Sequence, residues 1–319
     1  MAESILITGG AGAIGSCLAN TLSADRNRKI TILDNLSSGH LQNVEMRPNV
    51  RFIQGSVESD EDLDRVFSQP VDMIYHLAAN FANQNSVDFP QRDLQVNGMG
   101  TLKLLLRAAH IKVKKFLYTS SSCVYGNRNE PLDEKLQEFS LDTPYAITKL
   151  LGERYVRFFN HHHQLPVVTL RYFNVYGPNE YPGRYRNVIA NFFHLAMQGK
   201  DLTVTGSGEE TRDFNYVDDS VRATILAAQK DSAVGKVLNI ASGTETNIDT
   251  IVKHIMELTG SKSRVLYRAR RNWDTVTRRV AATEQARQVL GYQPEISIKE
   301  GLRRYYEWLK KQDLSKCEC

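Results

Sequence analysis

Cysteine is scarce in this sequence, with 4 residues among 319. Cys17 and Cys123 lie far apart, and Cys317 and Cys319 form a Cys-x-Cys pair at the end of the chain. Cysteines this few and this scattered exclude a disulfide framework, and the terminal pair lacks the further ligands of a zinc site. We therefore expect no metal in this protein and interpret the last two cysteines as part of a frayed tail.

Long apolar runs and a strong net charge are also absent. No run of about eighteen apolar residues occurs, which argues against a membrane-spanning helix. The first apolar run already belongs to a predicted strand, so we expect no signal peptide and a cytoplasmic protein. The formal net charge is +4 and the basic residues are dispersed, which argues against nucleic-acid binding. One concentration of arginines suits an anionic ligand, and it comprises Arg264, Arg268, Arg270, Arg271, Arg278 and Arg279.

Strand and helix patterns alternate along the first half of the chain. Apolar, β-branched runs occupy residues 4–7, 29–33, 50–53, 73–77, 116–119 and 167–170, and helical patterns separate them. This alternation predicts an α/β fold, a Rossmann-type doubly wound parallel sheet with ligands at the carboxyl ends of its strands. Beyond Arg171 the pattern loosens, which predicts a smaller α/β lobe. A further apolar run at 237–240 indicates that the chain then returns to the sheet.

A glycine-rich turn follows the first predicted strand. Gly10-x-Gly12-x-x-Gly15 opens into a helical pattern near Ala13. In a dinucleotide site one glycine makes the turn, one admits the pyrophosphate and one lets the helix pack against the strand. The phosphates would bind to unpaired N–H groups at the helix N-terminus. Asp34 ends the second predicted strand, where a carboxylate binds ribose hydroxyls and repels a 2′-phosphate, so the sequence favours NAD over NADP.

A tyrosine and a lysine one helical turn apart form the candidate catalytic pair. Thr143 is a suitable N-cap and Pro144 a suitable first helical residue, which places Tyr145 and Lys149 on one face. A free tyrosine has a pKa near ~10, and a lysine ammonium with the positive nicotinamide ring would lower it. Tyr145 could then remove a proton from a sugar hydroxyl. A half-buried tyrosine beside the apolar stem of a lysine would show the same spacing without any function.

A row of hydroxyl groups ends the predicted strand at 116–119. Ser120, Ser121 and Ser122 precede Cys123 there. Hydroxyls at this edge can donate to the oxygen whose charge changes during an oxidation. A polar exit from the strand, without function, explains the same residues.

These motifs resemble the extended short-chain dehydrogenase/reductase family, in particular its NAD-dependent nucleotide-sugar epimerases and dehydratases. The resemblance covers nearly the whole chain. It rests on motifs in family order at residues 8–15, 34–39, 76–79, 97, 120–126, 145–149, 171–178 and 212–214.

The resemblance implies a set of site residues. Catalysis is expected from Ser121, Tyr145 and Lys149. NAD is expected to contact Gly9, Gly12, Ala13, Ile14, Gly15, Asp34, Asn35, Ser38, Gly39, Ser56, Val57, Leu77, Ala78, Ala79, Asn97, Tyr145, Lys149 and Tyr172. The nucleotide sugar is expected to contact Ser121, Asn174, Asn187, Val188, Arg212 and Arg271, with Arg212 at the diphosphate.

The resemblance also implies a domain division and an assembly. Residues 1–175 and about 214–242 would form the NAD-binding domain, and residues 176–213 and 243–319 the nucleotide-sugar-binding lobe. The family implies a homodimer through the helices near residues 94–109 and 145–159.

Two departures from the family pattern bear on the reaction. Ser56 stands where the family usually has an aspartate against adenine. The 4,6-dehydratases carry Asp-Glu in place of Ser122-Cys123, and the decarboxylases carry a glutamate in place of Cys123, which disfavours both classes. In GDP-sugar 3,5-epimerases a cysteine here exchanges protons beside a ketone, but their partner base falls near Asn187, whose amide cannot transfer protons. Cys123 therefore keeps two interpretations, an acid/base and a small packing residue.

We expect an NAD-dependent epimerase that acts at C4 of a UDP-hexose through a transient 4-keto sugar. One alternative is a GDP-sugar 3,5-epimerase or an atypical 4,6-dehydratase that uses Cys123, with Ser122 beside it. Another is a non-catalytic NAD-binding sensor, which the joint presence of Ser121, Tyr145 and Lys149 argues against. The sequence leaves the sugar, the base and the pathway open.

Overall fold

A computed structural model describes residues 2–136 and 141–314 of the chain. The predicted frayed tail with Cys317 and Cys319 lies outside the described residues. In the described ranges no helix combines the length and the apolar character needed to cross a bilayer.

The strands follow the predicted runs and add short pairs in the second half of the chain. In chain order they are β1 (Glu3–Thr8), β2 (Arg28–Asp34), β3 (Val50–Gln54), β4 (Met73–His76), β5 (Lys115–Ser121), β6 (Val167–Tyr172), β7 (Val175–Tyr176), β8 (Leu202–Thr205), β9 (Thr211–Asp213), β10 (Asn215–Tyr216), β11 (Val237–Ile240), β12 (Glu245–Asn247) and β13 (Val265–Arg268).

The helices cover the sheet and build the lobe. They are α1 (Ala13–Ser23), α2 (Asp60–Phe67), α3 (Asn83–Asp88), α4 (Pro90–Asp93), α5 (Thr101–Ile111), α6 (Pro144–His163), α7 (Val188–Met197), α8 (Val217–Gln229), α9 (Ile248–Thr259), α10 (Glu284–Leu290) and α11 (Ile298–Leu309). A π-helical stretch, Leu94–Gly100, joins α4 to α5. Single 3₁₀ turns occur at Leu41–Asn43, Ser122–Tyr125 and Asp231–Ala233.

The central sheet has seven parallel strands in the order β11-β6-β5-β4-β1-β2-β3. The chain runs outward from β1 to β3 and then returns to β4 on the other side of β1. Such a reversal opens a crevice beyond the carboxyl ends of the two central strands, where ligands bind. The predicted doubly wound parallel sheet is confirmed, including the late return of β11.

Apolar residues cover both faces of the sheet because parallel strands are buried on both sides. Ile5 and Ile7 of β1 pack on one face with α1 and α8, while Leu6 packs on the other face with α2, α5 and α6. This alternation follows from the two-residue period of a strand. The two layers hold the strand ends, and therefore the site, in fixed positions.

The lobe is built from short pairs outside the sheet. β8 pairs with β13 in parallel and β9 with β12 in antiparallel orientation. Because β11 lies in the central sheet between these elements in sequence, the chain crosses between the two parts more than once, as predicted.

Candidate active site

A cleft of about 960 Å³ follows the carboxyl ends of the sheet strands and continues between the sheet and the lobe. It includes the ends of β1, β2 and β4 on one side and of β5 and β6 on the other. In the parts of the chain that the structure describes, no group of three or more His, Cys, Asp and Glu side chains could hold a metal ion.

The glycine turn after β1 leaves no room for side chains. Gly9 has φ +72°, and a Cβ there would lie 2.7 Å from the Ala78 nitrogen. A Cβ on Gly15 would lie 2.1 Å from the Gly9 carbonyl oxygen. Gly12 is the N-cap of α1 and brings no side-chain cap to the first N–H groups of the helix. The turn therefore presents backbone donors to the cleft, as a pyrophosphate site requires.

Asp34 is held at the end of β2 with its carboxylate at the cleft. Its Oδ2 accepts a hydrogen bond from Ala11 N at 2.9 Å, and its Oδ1 accepts one from Leu36 N at 2.8 Å. Each oxygen keeps a lone pair for a ribose hydroxyl. The residues present therefore fit NAD, which the turn and Asp34 would hold by its pyrophosphate and ribose.

Nearly all predicted cofactor contacts line this cleft, with two exceptions. The lining residues are Gly9, Gly12, Ala13, Ile14, Gly15, Asp34, Asn35, Ser38, Ser56, Val57, Leu77, Ala78, Ala79, Tyr145, Lys149 and Tyr172. Gly39 lies instead behind the turn, where a Cβ would be 2.7 Å from the Ala11 carbonyl carbon. Asn97 is buried and bonds Asn80 N at 2.8 Å and Thr148 Oγ1 at 3.2 Å. Gly39 and Asn97 thus support the site from behind.

The predicted start of α6 is confirmed. Thr143 is the N-cap, and its Oγ1 accepts a hydrogen bond from Ala146 N at 3.3 Å, while Pro144 is the first helical residue. The Tyr145 side chain lies near Ser121, the last residue of β5, and both residues line the cleft. Lys149 donates from Nζ to the Thr119 carbonyl at 3.0 Å. The structure thus brings together the three predicted catalytic residues.

Burial controls the protonation of this pair. It raises the pKa of Tyr145 above its ordinary value, with smaller contributions in the same direction from Cys123 and Asp93. Lys149 Nζ is 5.7 Å from the centre of the Tyr145 ring, and burial lowers the pKa of Lys149 to about 8. Burial is the largest contribution in the protein without cofactor, and the combined effect of Lys149 and the nicotinamide ring on the pKa of Tyr145 stays a prediction.

A buried ion pair fixes the strand ends behind the catalytic residues. Arg171 of β6 donates to both carboxylate oxygens of Glu153 on α6, at 2.9 and 2.7 Å. Ser120 Oγ donates to the same carboxylate at 2.6 Å. Removal of one partner would leave an uncompensated buried charge, which typically costs about 3–5 kcal/mol. The pair therefore couples β5, β6 and α6.

Ser122 and Cys123, the two positions that separate the reaction classes, both line the cleft. Ser122 is buried. Cys123 is half-buried, and its Sγ accepts from Asn83 Nδ2 at 3.6 Å and from Arg279 Nη1 at 3.7 Å. Cys123 is thus a polar-contacted residue of the cleft wall, and its acid/base role stays a prediction.

All predicted sugar-nucleotide contacts line the cleft. Ser121 lies at the end of β5, and the others are Asn174, Asn187, Val188, Arg212 and Arg271. Asn187 is the N-cap of α7 and donates from Nδ2 to the Val175 carbonyl at 3.0 Å. Arg212 pairs with Asp274 at 3.7 Å. Burial, and then Arg279, lower the pKa of Arg212 to about 10.

Several cleft residues were not found by sequence reasoning. Trp273 Nε1 donates to Gln84 Oε1 at 3.1 Å, which joins the segment after β13 to α3 across the cleft. Arg186 Nη2 donates to the Ser38 carbonyl at 2.5 Å. Arg279, one of the arginines that the sequence indicated as suited to an anionic ligand, also lines the cleft. The only signals in the sequence were the arginine concentration and the irregular composition of the loop before α7.

Comparisons with known proteins agree with this geometry. The model of the NAD dependent epimerase/dehydratase family matches residues 5–241. A putative UDP-glucose 4-epimerase of Methanocaldococcus jannaschii is 32% identical over 309 residues, which cover 96% of this chain and 98% of that protein.

Two solved structures are similar over almost the whole chain. An epimerase from Methanothermobacter thermautotrophicus has a TM-score of 0.95 and 45% identity, covering 97% of this chain and 92% of that chain. A UDP-glucose 4-epimerase of Thermotoga maritima, solved with UDP-glucose, has a TM-score of 0.91 and 34% identity, covering 97% of this chain and 99% of that chain. The resemblance inferred from the motifs, the dependence on NAD and the enzymatic character of the protein are confirmed.

Proposed function

The chain belongs to the NAD dependent epimerase/dehydratase family, and within it we propose that the chain inverts C4 of a UDP-hexose through a transient 4-keto sugar. The proposal rests on one observation. Ser121, Tyr145 and Lys149 meet in the cleft between the glycine turn and the arginine-bearing lobe. A ligand that spans the cleft from Arg212 would place its sugar beside these three residues.

Tyr145 acts as the base toward the sugar hydroxyl. Its phenol lies near the Ser121 side chain before substrate binds. Lys149, with a pKa of about 8, still carries its proton at neutral pH and stabilises the phenolate at 5.7 Å from the ring centre. NAD, when bound, supplies the hydride acceptor and a further positive charge. Ser121 holds O4 while its charge changes, and return of the hydride to the opposite face of C4 restores the oxidation state of the sugar with inverted configuration.

The cofactor and substrate roles follow the two sides of the cleft. We assign residues 1–175 and about 214–242 to the NAD-binding domain, and residues 176–213 and 243–319 to the nucleotide-sugar lobe. The diphosphate is assigned to Arg212 and Arg271, because guanidinium groups bind phosphate oxygens in pairs.

A second candidate reaction uses Cys123. Its Sγ accepts a hydrogen bond from Arg279 Nη1 at 3.7 Å at the wall of the cleft. An acid/base at this position would exchange protons at the carbons beside the ketone, as in 3,5-epimerisation. Ser122 lacks the acidity that the main dehydratase reaction needs, so a 4,6-dehydration is the weaker interpretation.

The purified protein tests the proposal without added NAD. Incubation with UDP-glucose is expected to yield UDP-galactose, because the cofactor is neither consumed nor released in a balanced inversion. Proton NMR follows the conversion. A C4 inversion of any other UDP-hexose would also support the proposal. A stable keto product or a new methyl signal would contradict it.

We also propose that the protein is a homodimer. Exposed apolar side chains lie on α4 to α6 and on the turn between α3 and α4, and they are Phe89, Leu94, Leu106, Ile147 and Phe158. Leu94 and Leu151 both lie beside Gly98, which places the π-helical stretch against α6. Light scattering is expected to give a dimer mass for the natural chain and a monomer mass for Leu106→Glu. A monomeric natural chain would contradict this assembly.

A further inference from the structure

Arg279 is a buried cation at the wall of the cleft. Only 7% of the surface of this residue is exposed. Nη2 donates to the Gly126 carbonyl at 3.0 Å, and Nη1 donates to Cys123 Sγ at 3.7 Å. Nε is buried and has no hydrogen-bond partner. A guanidinium has five N–H donors and is seldom buried without an anion, so this one has donors left over.

Positive charge exceeds negative charge around Arg279. Arg212 and Arg270 share one carboxylate, that of Asp274, at 3.7 and 3.4 Å. Within residues 2–136 and 141–314, no carboxylate pairs with Arg279 itself. The repulsion between Arg279 and Arg212 contributes to the lowered pKa of Arg212. An anion is therefore favoured at this end of the cleft.

Arg279 contacts the catalytic side of the cleft. Cys123 and Gly126, its two partners, directly follow β5, whose last residue is Ser121. Ser121 in turn lies near Tyr145 in the same cleft. The sugar ring must lie beside this pair for its hydroxyl to react, so Arg279 faces the sugar. Arg212 and Arg271 are left for the diphosphate.

The backbone around Arg279 is fixed from both sides. Leu132 donates to the Val280 carbonyl at 2.8 Å, and Asp213 Oδ2 accepts from Ala281 N at 3.2 Å. The side chain of the preceding residue, Arg278, does not line the cleft and instead pairs with Glu245 at 2.7 Å. The direction of Arg279 into the cleft is thus set by the fold.

We propose that Arg279 binds a carboxylate carried by the sugar ring, so that the chain prefers nucleotide sugar acids to neutral hexoses. This inference rests on the proposed function for the nucleotide-sugar substrate. A carboxylate can accept two parallel N–H bonds from a guanidinium, and Arg279 lines the cleft with no carboxylate partner among the described residues. A neutral hexose would leave the buried charge unpaired, which is unfavourable.

The natural chain tests this first, in its NAD-loaded form. Calorimetric titrations compare UDP-glucuronate with UDP-glucose, and UDP-N-acetylmuramate with UDP-N-acetylglucosamine, with UDP alone as the reference. At least one acid is expected to bind about tenfold or more tightly than its neutral counterpart, as for a hydrogen bond to a charged group. If neither acid binds more tightly than its neutral counterpart, the inference is overturned.

Variants then assign the preference to the residue. Arg279→Gln is expected to remove the preference for the acid while the Kd of UDP changes by less than about twofold, since the diphosphate contacts are intact. Arg279→Lys is expected to keep part of it, because the charge stays but the paired donors are lost. Arg278→Gln, with its side chain outside the cleft, is the matched control and is expected to keep the full preference.

The outcomes separate this inference from the proposed function. Equal weakening of UDP and of all four sugars by Arg279→Gln would place Arg279 at the diphosphate and overturn the inference. Tight binding of the acid without inversion of C4 would leave the inference standing and overturn the proposed function. Inversion of a neutral UDP-hexose with no preference for acids would support the proposed function and overturn the inference about Arg279.

Discussion

The two sides of the cleft are built in different ways. On the cofactor side, the backbone of one short turn makes the site. Its partners are Asp34, the last residue of β2, and Ala78, which follows β4, and both strands flank β1 in the sheet. On the substrate side, side chains from segments far apart in sequence meet, as in the bond between Trp273 and Gln84. A backbone site is specified by local sequence, whereas a side-chain site depends on the whole fold.

The largest effect is expected from a substitution of Tyr145, which lies between the two sides of the cleft. Tyr145→Phe keeps the ring but removes the hydroxyl that takes the proton, so the rate is expected to fall about 10²–10⁴-fold. Binding of NAD and of UDP is expected to stay near that of the natural chain, measured by titration. Tyr267→Phe, on an exposed tyrosine of β13, is the control. If the Tyr145→Phe variant retains activity, Tyr145 is not the base of the reaction.

The two sides are expected to respond oppositely to pH. Glu180 lies in the loop between β7 and α7 and is buried. Burial raises the pKa of its carboxyl group from 4.5 to about 7. Its contribution to stability is complete below pH 4.5 and is lost as the pH rises through 7. His76 of β4 has its pKa lowered from 6.5 to about 3 by burial, so its contribution is complete above pH 6.5 and is lost as the pH falls through 3.

Glu180→Gln tests this contrast. One pKa unit corresponds to about 1.4 kcal/mol, so the natural chain is expected to lose about 3 kcal/mol relative to the variant between pH 4.5 and 8. Urea unfolding of both proteins at several pH values measures the difference. Parallel pH profiles would show that the carboxyl group is solvated.

The glycine turn offers a matched pair of changes. Gly15→Ala would place a Cβ 2.1 Å from the Gly9 carbonyl oxygen, which forces the turn apart and is expected to cost about 1–3 kcal/mol. Gly12→Ala meets the same oxygen at 3.3 Å, so the fold is expected to survive while NAD binding weakens. Thermal unfolding and NAD titration distinguish the two. Equal stability of both variants would mean that the turn is less tightly packed than its geometry indicates.

The smallest expected effect lies across the cleft on the substrate side. Trp273→Phe removes the N–H that donates to Gln84 at 3.1 Å, which is expected to cost about 0.5–1.5 kcal/mol. A severalfold rise in KM with kcat nearly unchanged is expected, and steady-state kinetics measure it. Adding Gln84→Leu should then have little further effect, whereas full additivity would mean that the bond does not couple the two segments.

Local sequence patterns predicted most of the fold and the cofactor side. The apolar runs gave the sheet strands, and the Thr143-Pro144 start of α6 was predicted to the residue. Both depend on interactions among near neighbours in sequence. Asp34 followed in the same way from its place at the end of β2.

Long-range packing explains what the sequence did not predict. Asn97 was assigned to the cofactor, but it is enclosed by Asn80, Asp93 and Thr148. The raised pKa of Tyr145 comes from the surrounding layers, which no local pattern reports. Arg278 and Arg279 look alike in sequence, but in the fold Arg279 lines the cleft whereas Arg278 pairs with Glu245 outside it.

We propose that the hydride that leaves C4 returns to C4 without exchange with water. The most direct test uses a UDP-hexose, neutral or acidic, deuterated at C4 in ordinary water, with the C4 epimer examined by NMR. Full retention of deuterium at C4 and no exchange at C3 or C5 is the predicted result. Loss of the C4 label to water, or solvent hydrogen exchanged at C3 or C5, would contradict it and would indicate proton chemistry at Cys123.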